Sequence, residues 1–327
     1  MKKKLTVLLT FCLSVNMFSQ PKLIFDTDFG GDADDLGALA MLHHFIDRKE
    51  CELLAIMSWS TEKYTVSAID AVNRFYKHPD IPIGARKGDV DYRDWNYNKP
   101  ITDYLPFELT YNDGPDATCL YRKILSENAD ASIIIVTVGP LANIKNLIES
   151  QPDSLSEYNG KELIEKKVKK FVIMGGQFPE GMKEWNFDGN MQGVTKFVIQ
   201  NINVPIIFTG YEVGVDIKTG QSLNRLDKKS PLYIGFMYFS QNAPWMKADF
   251  KGNILNNSSY DQTAVLYAVR NGDGVYWDRI GGGKCIPDDF GGNKWVKSEN
   301  SNHFYLKLKM DNKKAGRLIE SLMLGEF

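Results

Sequence analysis

Six apolar runs alternate with stretches of helical periodicity over the first two thirds of the chain, and this alternation restricts the fold more than any other feature. The Ile-, Val- and Leu-rich runs lie at residues 23–25, 53–57, 81–83, 132–138, 170–174 and 204–208, and the helical stretches at 36–46, 66–76, 117–125, 141–150 and 194–200. Continuous apolar runs are typical of strands that are buried on both faces. Their alternation with helices predicts an α/β fold, a mostly parallel open sheet with helices on both faces.

The pattern becomes less regular after residue 210. An aromatic-rich stretch at 233–245 is interpreted as core, a helix is expected to begin near Asp261, and residues 312–322 are expected to form a final helix. Gly-rich turns after residue 272 and alternating apolar residues at 303–310 predict small antiparallel additions near the C-terminus. Because no Pro-, Gly- or Ser-rich linker divides the chain, we predict a single domain over residues 20–327.

Residues 1–19 are predicted to be a signal peptide. Lys2, Lys3 and Lys4 precede a short apolar run at residues 5–15, and small and polar residues then lead to a cleavage point after Ser19. The protein is therefore expected to be secreted or periplasmic. Cleavage would change the formal charge from −2 to −5, and a mildly acidic chain without a basic stripe is a poor candidate for binding nucleic acid. No later stretch has 18 continuous apolar residues, so no membrane association is expected once the signal is removed.

Five carboxylates fall within ten residues, between the first predicted strand and an almost wholly apolar helix. They are Asp26, Asp28, Asp32, Asp34 and Asp35. Packing like charges this closely costs free energy unless a cation or protons neutralise them. Helix capping explains one or two of these acids but not all five. Oxygen ligands without Cys or His favour a hard cation such as Ca²⁺ or Mg²⁺, so the cluster predicts a metal site.

The acidic motif alone leaves two classes of metal-using enzyme open. Phosphatases of the haloacid dehalogenase type also begin with a strand that ends in Asp-x-Asp, so a metal-dependent phosphohydrolase is one alternative. In those enzymes an Asp-Gly-Thr-like turn follows, whereas here the sequence continues Phe29-Gly30-Gly31 and then three more acids. The later Ser/Thr and Lys stations of those phosphatases are not evident.

Four short motifs, spread in order over about residues 22–270, together resemble the inosine–uridine-preferring nucleoside hydrolase family. They are the acidic motif at 26–35, Val-Gly-Pro-Leu-Ala-Asn at 138–143, Met-Gly-Gly at 174–176 followed by Glu-Trp-Asn at 184–186, and Ser-Tyr-Asp at 259–261. The resemblance implies a nucleoside hydrolase-like fold and an enzyme that hydrolyses the N-glycosidic bond of ribonucleosides to ribose and free base. It also implies a small-molecule nucleoside substrate and a homo-oligomer, a dimer or tetramer.

The resemblance further implies a calcium site and a general base. Ca²⁺ would be held by Asp28, Asp35, Asp261 and the main-chain carbonyl of Val138. Asp34 would be the catalytic base, which takes a proton as a calcium-bound water attacks the anomeric carbon.

The remaining assignments concern the substrate and the surroundings of the metal. By the same resemblance Glu184 and Asn186 would bind ribose hydroxyls, and Tyr260 would contact the substrate at the departing base. Asp26 and Asp32 are expected to support the site from behind the metal ligands.

The chain departs from the family pattern at three places. Phe29 replaces a Pro and two residues are inserted, so the Asp34–Asp35 pair is taken as the anchor of the motif. Tyr260 stands where some members carry a His that protonates the departing base, and tyrosine is a poor acid near neutral pH. The early Asn that follows the second strand in the family has no clear counterpart among residues 58–61. A non-catalytic nucleoside- or sugar-binding protein on the same scaffold is therefore a second alternative.

Overall fold

The computed structural model describes residues 20–88 and 95–326, so the predicted signal peptide lies outside the described residues. The strands in these ranges are β1 (Lys22–Thr27), β2 (Glu52–Ser58), β3 (Ile83–Ala85), β4 (Ile133–Thr137), β5 (Val168–Met174), β6 (Glu180–Gly181), β7 (Ile206–Thr209), β8 (Lys218–Thr219), β9 (Asn257–Ser258), β10 (Trp277–Pro287), β11 (Asn293–Lys297) and β12 (His303–Leu308). The helices are α1 (Ala33–Asp47), α2 (Thr65–Phe75), α3 (Asn98–Tyr104), α4 (Ala117–Glu127), α5 (Ala142–Glu149), α6 (Gly160–Lys167), α7 (Trp185–Asp188), α8 (Val194–Asn201), α9 (Tyr211–Gly214), α10 (Pro231–Asn242), α11 (Asp261–Arg270) and α12 (Asn312–Leu324).

Ten of these strands form one sheet in the order β3-β2-β1-β4-β5-β7-β12-β10-β11-β6. The pairings from β3 to β12 are all parallel, and those among β12, β10, β11 and β6 are antiparallel. This confirms the predicted fold class, a mostly parallel sheet with antiparallel additions towards the C-terminus. The structure adds that β12 joins the two parts, because it runs parallel to β7 and antiparallel to β10.

The strand order reverses at β1. From β1 the chain first builds β2 and β3 on one side, and it then returns to add β4, β5 and β7 on the other. In open α/β sheets such a reversal leaves a crevice beyond the carboxyl ends of the two central strands, because their connections leave in opposite directions. The acidic motif follows β1 directly, and it therefore enters this crevice.

Helices cover both faces of the sheet and form two hydrophobic cores. One face packs against α1, α2, α3, α10, α11 and α12, and the other against α4, α5, α6 and α8. Helix α1 packs against the sheet and against the helices α10, α11 and α12, so nearly all of its residues are buried. This burial explains why its sequence is apolar on all sides instead of amphipathic.

Several helices differ from the sequence expectation: α3, α6, α7 and α9 lie where no helix was predicted, and α1 and α10 differ as follows. Helix α1 begins at Ala33, three residues before the predicted start, because the carboxylate of Asp32 caps it. Helix α10 occupies most of the aromatic stretch, for which no helix was predicted. Its apolar residues point in several directions and leave no helical periodicity to detect.

No helix within residues 20–88 and 95–326 is both long and apolar enough to cross a membrane. The three cysteines in these ranges, Cys51, Cys119 and Cys285, are free thiols, and the first and last are buried.

A stacked group of aromatic rings lies at the C-terminal end of α1. His43 is fully buried, and its ring centroid lies 4.8 Å from that of Tyr76 and 5.3 Å from that of His78. Burial lowers the pKa of His43 from 6.5 to about 3, because protonation would place a charge in an apolar interior. At pH 5 the unfolded chain therefore binds a proton on this side chain that the folded chain does not.

We expect this histidine to make the fold less stable in mild acid. A folded-state pKa below the unfolded value means that stability is full above pH 6.5 and falls as the pH decreases below it. Between pH 7 and pH 5 the unfolding free energy of the wild type should fall by about 2 kcal/mol more than that of the His43→Phe variant. Urea unfolding at the two pH values measures this difference, with Tyr76→Phe as a control that alters the same stack and keeps the imidazole. Equal pH dependence in the wild type and His43→Phe would contradict the assignment.

Candidate active site

The carboxyl ends of β1 and β4 meet at the strand-order reversal, and the site is built there. Asp28 follows β1 and Val138 follows β4, and the main-chain N–H of Val138 donates to the carbonyl of Asp26 at 2.7 Å. The next residue, Gly139, packs directly on Asp28, since a Cβ at position 139 would lie 2.8 Å from the Asp28 nitrogen. Only glycine permits this approach of the two strand ends.

Three carboxylates converge beside these strand ends. Oxygens of Asp34, Asp35 and Asp261 lie within 4.8 Å of one another, and all three side chains are buried. Asp34 and Asp35 lie in the first turn of α1, and Asp261 is the first residue of α11. Helix N-termini carry partial positive charge, so both helices help to hold negative charge at this point.

Main-chain and hydroxyl donors fix these carboxylates. Asp34 accepts hydrogen bonds from the main-chain N–H groups of Tyr260 (3.2 Å) and Asp261 (3.3 Å) on one oxygen. Its other oxygen accepts from the N–H of Asp35 at 3.1 Å, and the hydroxyl of Thr27 donates to Asp35. Asp34 therefore links α1 to α11 directly.

The pKa values of these acids differ strongly from their usual values. Burial raises the pKa values of Asp34 and Asp261 well above the usual range, and repulsion from the neighbouring carboxylates raises them further. The cluster thus needs protons or a cation to offset its charge. Because its donors are all oxygens, the residues present fit a hard divalent cation.

Asp28 lies outside this group of three but lines the same cavity. One of its carboxylate oxygens accepts a hydrogen bond of 2.8 Å from the indole Nε1 of Trp185. The Trp185 ring in turn packs edge-on against Trp59, with ring centroids 6.3 Å apart. The indole therefore fixes the orientation of the Asp28 carboxylate.

The two acids expected to support the site lie in different environments. Asp26 is buried and accepts hydrogen bonds from the Tyr121 hydroxyl (2.8 Å) and the Asn143 side-chain amide (3.1 Å), and it does not line the cavity. Burial raises the pKa of Asp26 to about 7. Asp32 lines the cavity, caps α1 and accepts a hydrogen bond from the Asn257 amide, and burial raises its pKa to about 6.

One of the two predicted ribose-binding residues, Asn186, contacts the Val138 carbonyl. The side-chain amide of Asn186 donates to the carbonyls of Val138 (3.2 Å) and Met174 (3.1 Å). The carboxylate of Glu184 caps the short helix α7 and also accepts from the N–H of Gly176 at 2.8 Å. Burial raises the pKa of Glu184 to about 7. Both side chains line the cavity while they stabilise its wall.

The carboxylates lie in a cavity of about 860 Å³ with aromatic side chains around it. Tyr260 stacks on Tyr211 with ring centroids 5.4 Å apart, and Trp95 packs edge-on against Trp245 with centroids 5.7 Å apart. The core interpretation of the 233–245 stretch was wrong for Trp245, which is 53% exposed and lines the cavity. Trp245 lies beyond the last residue of α10, and no local sequence pattern separates it from the buried aromatics of that helix.

The segment at Trp95 and Tyr97, which holds the acidic motif, was not predicted from the sequence. The indole Nε1 of Trp95 donates to the Gly31 carbonyl (2.9 Å), and the Tyr97 hydroxyl donates to the Asp32 carbonyl (2.9 Å). Phe29, the departure from the family's Pro, is fully buried edge-on against Tyr97. Residues 58–61, the expected substitutes for the family's early Asn, are buried and do not line the cavity.

One comparison with known proteins identifies the family, and another supports the fold. The sequence profile described as inosine-uridine preferring nucleoside hydrolase matches residues 23–314, while no curated protein matches the sequence. Among solved structures, the plant nucleoside hydrolase PpNRh1 shares 16% identity with a TM-score of 0.67, and covers 93% of this chain and 98% of its own. An inosine-guanosine nucleoside hydrolase shares 18% identity with a TM-score of 0.66, with coverages of 94% and 98%. The type III effector XopQ, solved with adenosine diphosphate ribose, shares 11% identity with a TM-score of 0.60, with coverages of 93% and 92%.

The contact between Trp185 and Asp28 yields a first test of the site. Trp185→Phe keeps the ring against Trp59 and removes the N–H that orients Asp28. Because donors behind metal ligands tune their affinity, we expect divalent-cation binding, measured by calorimetry, to weaken roughly tenfold. Trp245→Phe, which changes the cavity wall away from this bond, is the control. Unchanged cation affinity in Trp185→Phe would show that the indole does not position a ligand.

Proposed function

Since this chain belongs to the inosine-uridine preferring nucleoside hydrolase family, we propose that it hydrolyses the N-glycosidic bond of ribonucleosides and releases ribose and the free base. The observation that supports this most is the convergence of Asp34, Asp35 and Asp261 within 4.8 Å at an aromatic-lined cavity. A pocket lined by both carboxylates and flat aromatic rings suits a substrate that joins a polyhydroxylated sugar to an aromatic base.

We assign Ca²⁺ as the metal, with Asp28, Asp35, Asp261 and the Val138 carbonyl as its ligands. These groups line one cavity and supply only oxygen donors, which suits calcium. When bound, the ion would supply a Lewis acid that lowers the pKa of water and orients the 2′- and 3′-hydroxyls of the ribose. The Asn186 amide supports the assignment of Val138, since it contacts that carbonyl and leaves it a second lone pair.

Asp34 is assigned as the general base. Main-chain N–H groups hold both of its oxygens in place, and the oxygen that accepts from Asp35 keeps a further lone pair for a proton. As water attacks the anomeric carbon, Asp34 takes its proton and the new C–O bond forms. The C–N bond breaks, and its electron pair leaves with the ring nitrogen of the base. Glu184 and Asn186 would bind the ribose, and Tyr260 would contact the base.

One exchange of roles needs an explicit test. Asp34 groups with Asp35 and Asp261 within 4.8 Å, whereas Asp28 lies apart and is bonded to Trp185. The grouping is also compatible with Asp34 as a ligand in place of Asp28, which would leave Asp28 as the base. Separate measurements of calcium binding and turnover distinguish these two arrangements.

We expect Asp34→Asn to reduce ribose release by a factor of about 10² to 10⁴ while the protein still binds calcium, because a general base contributes about that much. Asp28→Asn should weaken calcium binding as well as turnover. Asp249→Asn, at a residue that does not line the cavity, is the matched control. Calcium lost from Asp34→Asn and retained by an inactive Asp28→Asn would reverse the two roles.

The same purified protein distinguishes the alternative classes. Incubation with a panel of ribonucleosides, with and without a chelator, should release ribose only when the metal is present. Phosphate release from esters without any ribose would favour a metal-dependent phosphohydrolase. Tight nucleoside binding without turnover would favour a non-catalytic binding protein on this scaffold.

Substrates that lack the 2′-hydroxyl test the proposed sugar position. A site built to hold a hydroxyl discriminates strongly against its absence, because its buried polar groups then remain unpaired. We expect kcat/KM for a 2′-deoxyribonucleoside to be at least about 10²-fold lower than for the matching ribonucleoside. The free base should inhibit both reactions equally, which controls for binding of the base. Equal rates on the two sugars would contradict the proposed position.

Secretion or periplasmic location, which follows from residues 1–19, and assembly into a dimer or tetramer stay predictions. The first falls on residues outside the described ranges, and the second follows from family resemblance alone.

A further inference from the structure

Two lysines line the acidic cavity, and one of them, Lys183, is paired with the Asp188 carboxylate at 3.1 Å. Lys218, in β8, lines the cavity together with Tyr211 and Tyr260. Its ammonium donates to the hydroxyl of Ser258 at 2.8 Å, and the same two residues pair across the β8–β9 ribbon. Since an ammonium has three protons, Lys218 keeps donors for a ligand after it has bonded to Ser258.

Past Lys218 the cavity adjoins a second cleft of about 800 Å³. Lys218 and Asn256 line both spaces. The far wall of the cleft is one face of α12, where Lys313, Arg317 and Glu320 follow helical spacing. Gly316, on the same face, packs against the ribbon, because a Cβ there would lie 2.9 Å from the Lys218 carbonyl oxygen. The fold therefore holds this helix face against Lys218.

The balance of charge changes across Lys218. Six acids and two lysines line the catalytic cavity, whereas the cleft has two acids and three cations: Lys218, Lys313 and Arg317. Of the two acids in the cleft, Glu320 accepts hydrogen bonds from the main-chain N–H groups of Gly220 (2.9 Å) and Ser222 (3.3 Å). The buried hydroxyl of Ser222 also lines the cleft and has no hydrogen-bond partner among the described residues. The cleft thus offers three cations to an anion, against the acids Asp216 and Glu320.

We propose that this cleft, beyond Lys218, binds an anionic group, a carboxylate or phosphate, that is carried by the departing base of the substrate. The direction of the substrate rests on the proposed function. With the ribose at the carboxylates and at Glu184 and Asn186, the base points towards Tyr260 and Tyr211. Lys218 lies next to these rings, so a negative substituent on the far edge of the base meets the ammonium first and the α12 cations behind it. The acidic cavity itself would repel such a substituent.

The test uses free bases, so that binding is measured without turnover. Nicotinate and nicotinamide share one ring and differ only in a carboxylate against a neutral amide. Titrated into the calcium-loaded protein by calorimetry, nicotinate should bind roughly tenfold or more tightly than nicotinamide, as expected for a charge-assisted contact. Inorganic phosphate should compete with nicotinate and not with nicotinamide. Equal binding of the two ligands would overturn the proposal.

Variants identify the residues that cause the preference for nicotinate over nicotinamide. Lys218→Met and the double variant Lys313→Ala/Arg317→Ala should each abolish the preference for nicotinate, and the double variant should leave nicotinamide affinity unchanged. Lys218→Arg should retain the preference, and so should Lys314→Ala, an exposed lysine that lines neither space. A preference that persists in both charge-removing variants would mean that the carboxylate binds elsewhere, on the metal for example, and would refute the cleft.

Ribose release and nicotinate affinity test the hydrolase activity and the cleft separately. Ribose release from nucleosides together with equal nicotinate and nicotinamide affinities would reject the cleft and keep the hydrolase. A nicotinate preference that depends on Lys218, without ribose release from any nucleoside or from nicotinate riboside, would keep the cleft and reject the hydrolase.

Discussion

Repulsion among buried carboxylates is the constraint on which the rest of this structure depends. Asp34, Asp35 and Asp261 are held within 4.8 Å of one another, where burial alone already disfavours their charged forms. The fold offsets this cost in part with the N-termini of α1 and α11 and with main-chain N–H groups that donate to Asp34. A hard cation would offset the remainder, and for this reason the group has the character of a binding site and not of a structural motif.

The topology of the sheet explains why these acids meet at all. Strands β1 and β4 are neighbours whose connections leave on opposite sides, so their carboxyl ends open into a crevice. Gly139 lets the end of β4 approach Asp28, and Trp95 and Tyr97 hold the loop that carries Asp32. Because α1 is buried on nearly all sides, packing of the surrounding core fixes the position of its first turn.

Features with a local sequence pattern could be predicted, whereas features that depend on contacts between distant segments could not. The parallel strands and the acidic motif have local signals, a continuous apolar run or closely spaced acids, and both were recognised. Trp95, Trp245 and Lys218 line the cavity through contacts between distant segments, and no local pattern marks them. The start of α1 was misplaced because the helix was taken to begin at its apolar residues, whereas the cap is Asp32 and the acids occupy the first turn.

The hydrogen bonds from Tyr260 and Asp261 to Asp34 join residues more than 220 positions apart in the chain. During synthesis the N-terminal acids therefore emerge long before the helix that completes their site. Until α11 docks, these carboxylates remain hydrated and separate from Asp261, and docking brings the third negative charge against them. A cation that binds only the assembled group would shift the equilibrium towards the docked state. The cation concentration during folding would then set how readily α1 and α11 come together.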